Sequence, residues 1–147
     1  MKKLFFPIFI GFISLVSCSS ISSKIAGRGT EKEALNGVWG IENFKGEKLP
    51  VINSDREVQL VFDIENHRVV VNLGCNRLSG AYTLSENKID FKPNFIGTRM
   101  YCGDDIMKLE NEFSNSIAGN SLIYKIINEQ LLLLNEKGEK VIVLKRK

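Results

Sequence analysis

Cys18, Cys75 and Cys102, the single His67 and the adjacent pair Asp104-Asp105 are where chemistry would first be sought in this 147-residue chain. A nucleophile needs a base within hydrogen-bond reach and a third group that orients the base, while a catalytic zinc needs several His, Cys or carboxylate ligands. Neither pattern is present. His67 lies between Asn66 and Arg68 with no second histidine to share a metal, so it is expected to be a solvated turn residue. Asp104 and Asp105 open a run of helical periodicity, where carboxylates accept free backbone N–H groups and face the positive end of the helix dipole. Cys75 and Cys102 do not form a Cys-x-x-Cys pair, and no helix start is evident at either sulfur to lower a thiol pKa. A thiol oxidoreductase therefore ranks last among the readings. The expectation is a non-catalytic protein that uses neither metal nor cofactor.

Cys18 is different, because of what precedes it. Lys2 and Lys3 are followed by an uncharged apolar run from Leu4 to Val16, and the run ends in Leu15-Val16-Ser17-Cys18. Some 13 residues, roughly, are too few to cross a bilayer but suit a secretory signal. The four-residue ending resembles a bacterial lipobox. Residues 1–17 are then a signal peptide that is removed, and Cys18 becomes the first residue, its thiol carrying a diacylglycerol and its amine an acyl chain such as palmitate. Two or three chains, at about 0.8 kcal/mol per buried methylene, hold a protein stably at a membrane. Ser19 and Ser20, where an aspartate would signal otherwise, resemble outer-membrane sorting residues. The expected location is the cell envelope, anchored to the outer membrane and facing the periplasm; in a single-membrane cell the domain would sit on the outer face.

Behind the lipidated cysteine, Ser19 to Thr30 is small and polar, so residues 18–32 read as a flexible tether. Residues 33–147 are enough for one domain with a single core. Without Lys2 and Lys3 the formal charge falls from +3 to +1, which leaves no electrostatic footprint for nucleic acid. The tail Lys145-Arg146-Lys147 reads as a solvated end.

Within the domain, Val58, Leu60 and Phe62 alternate as in a half-buried strand, and the β-branched run from Arg68 to Leu73 is expected to pair with it across Glu65-Asn66-His67. Ala81–Leu84 and Lys88–Lys92 flank the turn Ser85-Glu86-Asn87. A strand is expected around Val38-Trp39-Gly40-Ile41, with Trp39 in the core. Ile106, Leu109, Phe113 and Ile117 recur at helical spacing, with Lys108, Glu110, Asn111 and Glu112 on the wet side and Gly119-Asn120 as the stop. Leu122–Ile127, Gln130–Leu134 and Lys140–Leu144 form two more hairpins; Leu131–Leu134 is too short for a stable helix and is read as a buried strand. Gly74 and Gly80 bracket a segment between strands, and Asn76 can satisfy turn amides. The fold class is α+β, mainly antiparallel β: a curled or barrel-like sheet of about eight strands, with one helix between strands five and six, closed to protect its edges.

Leu35-Asn36-Gly37-Val38-Trp39, Gly74-Cys75-Asn76 through Gly80-Ala81-Tyr82, Thr98-Arg99-Met100-Tyr101-Cys102 and Glu110 to Phe113 occur in that order. Together they resemble the META domain family, which includes the heat-inducible HslJ-type lipoproteins, over about Leu35 to Leu144. Tyr101 stands where many relatives carry a small residue. The resemblance implies an envelope protein that acts in assembly or stress maintenance by binding a protein partner; separately, the chain is expected to be a monomer. A curled sheet also admits a lipid or other hydrophobic ligand inside it. With Cys18 lipidated, Cys75 and Cys102 are the remaining pair, and an exported domain commonly bridges such a pair. A Cys75–Cys102 disulfide is expected.

Overall fold

The computed structural model describes residues 31–49 and 57–147; Cys18, the signal and most of the tether lie outside the described residues. In chain order the elements are α1 (Glu31–Leu35), β1 (Gly37–Phe44), β2 (Glu47–Lys48), β3 (Gln59–Asp63), β4 (Arg68–Asn72), β5 (Arg77–Ser85), β6 (Lys88–Phe91), β7 (Ile96–Gly97), α2 (Asp104–Ile117), β8 (Ser121–Ile127), β9 (Gln130–Leu134) and β10 (Lys140–Arg146). Every strand pairing is antiparallel. The pairing path runs β10-β9-β8-β6-β5-β4-β3-β1, and β10 also pairs with β1, so eight strands close into a barrel. Closure removes the exposed edges that a sheet of alternating apolar residues would otherwise present.

The eight expected strands are these barrel strands, and the helix falls after the fifth of them, as the periodicity indicates. The two-residue strands β2 and β7 and the short α1 are additions. Glu31 and Lys32, assigned to the tether from composition, form the first turn of α1. Tight turns join the hairpins: Asp63 pairs with Arg68, Ser85 with Lys88 and Ile127 with Gln130.

Strand alternation fills the interior. Leu60 and Phe62 of β3, Val69 and Val71 of β4, Tyr82 of β5, Ile89 and Phe91 of β6, Tyr124 of β8, Leu131 and Leu133 of β9, and Ile142 and Leu144 of β10 are all buried. The Phe62 and Tyr82 rings meet edge to face at 5.5 Å, an arrangement that the ring quadrupole favours. From α2, Phe113 and Ile117 are buried in the same core, and Phe113 lies 5.0 Å from the ring of Phe44.

Closure also gives the C-terminal tail a role that charge alone concealed. Because Trp39 pairs with Arg146, the guanidinium sits 4.2 Å from the Trp39 ring centroid. It donates to the carbonyls of Asn36 and Ala34, while the Trp39 indole N–H donates to the Leu35 carbonyl at 2.8 Å. The tail is therefore not a free solvated end: Arg146 covers the buried tryptophan, and Lys147 pairs with Glu57 at 2.9 Å.

Candidate functional site

The turn between β4 and β5 is built from three residues with three tasks. Gly74 turns the chain at φ 101°, where a side chain would be strained, and its N–H is taken by the Asn72 side chain at 2.9 Å. Cys75, 2 % exposed, is bonded to Cys102 with a Cα–Cα separation of 6.1 Å. Closing the loop between them contributes about 3–4 kcal/mol in the chain-entropy picture. Asn76 is the third, and it does more than satisfy its own turn.

Asn76 bonds at every position its amide offers. Its oxygen accepts the Thr98 hydroxyl and the Met100 N–H, both at 2.8 Å. Its Nδ2 donates to the Met100 carbonyl at 3.0 Å and to Glu110 Oε2 at 2.7 Å. Its backbone N–H donates to Glu110 Oε1 at 2.6 Å. Met100 N–H can only donate and the Glu110 carboxylate only accepts, so this network sets the orientation of the amide. Asn76 and Glu110 are each 5 % exposed. Buried polar groups of this kind are tolerated because all their partners are present.

Glu110 was expected on the wet side of α2. Phe113 and Ile117 are buried as expected, with Leu109 packed against the core, but Glu110 joins them, spaced i, i+3, i+7 with Phe113 and Ile117 as an inward stripe should be. A carboxylate is ordinarily solvated on a helix, but here its position on the inward face prevails over its charge. Its spacing from Phe113 and Ile117 was the signal that it shares their face. The helix start also differs from expectation. The residue before α2 is Gly103, with no side-chain cap, and Asp104 accepts the Tyr101 hydroxyl at 2.8 Å instead of a backbone N–H. That bond holds the exposed Tyr101 phenol above its ordinary pKa, because the neighbouring carboxylate favours the protonated hydroxyl.

The 95–102 segment is thus pinned at Thr98, Met100 and Cys102. Its first half is seated by two close approaches. The Phe95 ring lies where a Cβ on Gly80 would be, 2.5 Å away, so Gly80 is needed within β5 rather than at a turn. A Cβ on Gly97 would stand 2.6 Å from the Arg77 carbonyl, which is why β7 can pair with β5 there. With its backbone fixed, the segment displays Ile96 at 78 %, Tyr101 at 74 % and Met100 at 41 % exposure. Between it and α2 lies an open cleft of about 610 Å³, reaching Met107, Asn111 and Ser114. The cleft offers apolar contact and a few polar groups, while the Glu110 carboxylate is already occupied. His67 is exposed in the β3–β4 turn, and no group of three His, Cys, Asp or Glu side chains among the described residues could hold a metal.

Comparison with known proteins agrees with this architecture. An NMR structure of one protein superimposes with a TM-score of 0.60 at 21% identity, covering 78% of this chain and 92% of that one. An NMR structure of a protein from Burkholderia xenovorans gives 0.58 at 19% identity, covering 79% and 86%. At such identities the likeness is one of fold. No curated protein matches the chain. The META domain matches residues 32–147, the same span that holds the barrel, the Gly74-Cys75-Asn76 turn and the pinned segment, and the chain belongs to the META domain family.

Proposed function

We propose that the chain is a non-catalytic module of the cell envelope, held at the outer membrane by a lipid on Cys18, that docks a partner protein through its 95–101 segment during envelope assembly or stress. The observation that carries this reading is the display of Ile96, Met100 and Tyr101 on a segment held from beneath by Asn76, Glu110 and the disulfide. Side chains whose backbone is already ordered lose less freedom on docking, and Tyr and Met are favoured at interface centres. The lipobox-like residues supply the anchor in this reading, and the tether gives the domain reach from the membrane.

Two observations weigh against the other readings. A hydrophobic ligand inside the barrel would have to displace Trp39, Phe62, Tyr82 or Phe91, which are at most 3 % exposed. A thiol oxidoreductase needs an accessible sulfur; Cys75 is buried in the bridge, so that reading would rest on Cys102 alone, which is partly exposed two residues before α2.

The test is a photo-crosslinking residue placed at Ile96 or Tyr101 of the full chain in the native envelope, with exposed Thr83 as control. A discrete heavier species from 96 and 101 but not from 83 is the expected result. Equal adducts from 83, or none from the segment, would overturn the docking reading. In the same cells radiolabelled palmitate should enter the native chain and not Cys18→Ala; a native chain without label would remove the anchor.

A further inference from the structure

We propose a second binding site, on the outward face of β3, β4 and β5, that takes a phosphate group between Arg68 and Arg77. Register brings the residues together. Val61 of β3 pairs with Val70 of β4, and Val70 with Ser79 of β5, forming a row across three strands. Arg68 belongs to the next row on one side, paired with Asp63 and Ala81, and Arg77 to the next row on the other, paired with Asn72. Rows on one face are about 7 Å apart, within reach of an arginine side chain. Two guanidinium groups therefore bracket a patch of two valines and a hydroxyl.

Arg68 already leans toward that patch, since its guanidinium donates to Ser79 Oγ at 3.2 Å. Both arginines, Ser79 and both valines line one open groove of about 780 Å³. Asp63 lines the same groove and stands across the strands from Arg68, yet no ion pair among the described residues joins the two. Asp63 receives the Asn66 N–H at 3.0 Å and the Asn66 side-chain amide at 2.8 Å, so its oxygens serve the β3–β4 turn. The ion pair found among the described residues joins Lys147 and Glu57, not either arginine.

Phosphate is the anion this arrangement suits. Each guanidinium presents a planar fork of N–H donors that matches two phosphate oxygens, and Ser79 adds a hydroxyl donor between them. Val61 and Val70 give an apolar floor that would receive the first carbons of an ester substituent. The phosphate could be a free anion or the head group of a lipid, and these sources differ in their use of the floor.

The test titrates the full chain, in a neutral detergent, with inorganic phosphate and with hexyl phosphate, following backbone amide NMR shifts of Val70, Arg77 and Ser79. Saturable shifts are expected, with Arg77→Gln and Arg68→Gln each weakening binding by about tenfold. Both residues are exposed, so the fold should survive, which unchanged spectra elsewhere in the barrel would verify. Tighter binding of hexyl phosphate identifies a lipid head group, and equal binding of the two identifies the free anion; either supports the site. No saturable shift up to about 10 mM, the range of the weakest useful affinities, overturns it. So does binding that survives the double substitution.

Discussion

The barrel interior and the Asn76–Glu110 network hold the molecule by different means. Inside the barrel the stabilisation is mainly apolar: buried side chains from all eight barrel strands interlock, each contributing roughly in proportion to the area it removes from water, while the polar tips of Trp39, Tyr82 and Tyr124 bond to backbone carbonyls. At the network a few atoms carry the load. Five hydrogen bonds to Asn76 and a disulfide tie the β4–β5 turn, the 98–102 segment and α2 together. The first kind of packing accepts many sequences of similar volume, whereas the second accepts few, because a buried donor left without its acceptor is costly. The contrast separates what makes the barrel from what shapes its displayed segment, and three substitutions or conditions test it.

The largest effect should come from the interior. Phe62→Ala removes a ring that is 1 % exposed, and denaturant unfolding should lose about 3–5 kcal/mol. A loss under about 1 kcal/mol would mean that the interior has slack, which is what an internal ligand would require.

A smaller but more local effect is expected from Glu110→Gln. The variant replaces one acceptor oxygen with a donor amide facing Asn76, and should cost about 2 kcal/mol. Its signature is hydrogen exchange: the Met100 amide, held by Asn76, should exchange faster than in the parent while the β3 and β9 amides keep their protection. Uniform acceleration across the barrel would show that the network and the barrel open as one unit, and the contrast would fail.

The smallest effect concerns alkaline pH. Burial, and secondarily the Asp63 charge, push the Tyr82 phenol up from 10.0 to about 12. In the unfolded chain the phenol ionises near 10, before the folded one does, so this contribution to stability is complete below pH 10 and is lost as pH rises toward 12. The urea midpoint should fall across that window and fall less in Tyr82→Phe. An equal decline in both proteins would exclude Tyr82 as its source.

How far the sequence could be read followed from the range of the interactions. The barrel strands declared themselves by period: Leu60 and Phe62 share one face with no reference to any other part of the chain. The helix also announced its limits, since Ile106 through Ile117 change the period and Gly119 ends it at φ 73°. Glu110 was harder. A carboxylate on a helix is ordinarily solvated, and its burial depends on Asn76, 34 residues earlier, which no local pattern connects to it. The same is true of Arg146, which looked like one charge in a basic tail until closure of the barrel placed it over Trp39.

Local composition by itself determined the element types, the turns and the apolar faces, because these depend on neighbours within a few residues. The META family likeness was also present in the residues themselves. Long-range packing is what returns β10 to β1, brings Asn76 to Glu110, leaves Ile96 and Tyr101 displayed, and turns Arg68 and Arg77 toward one groove. Each of these joins residues far apart in sequence, and such pairings exist only once chain closure has brought the strands into register.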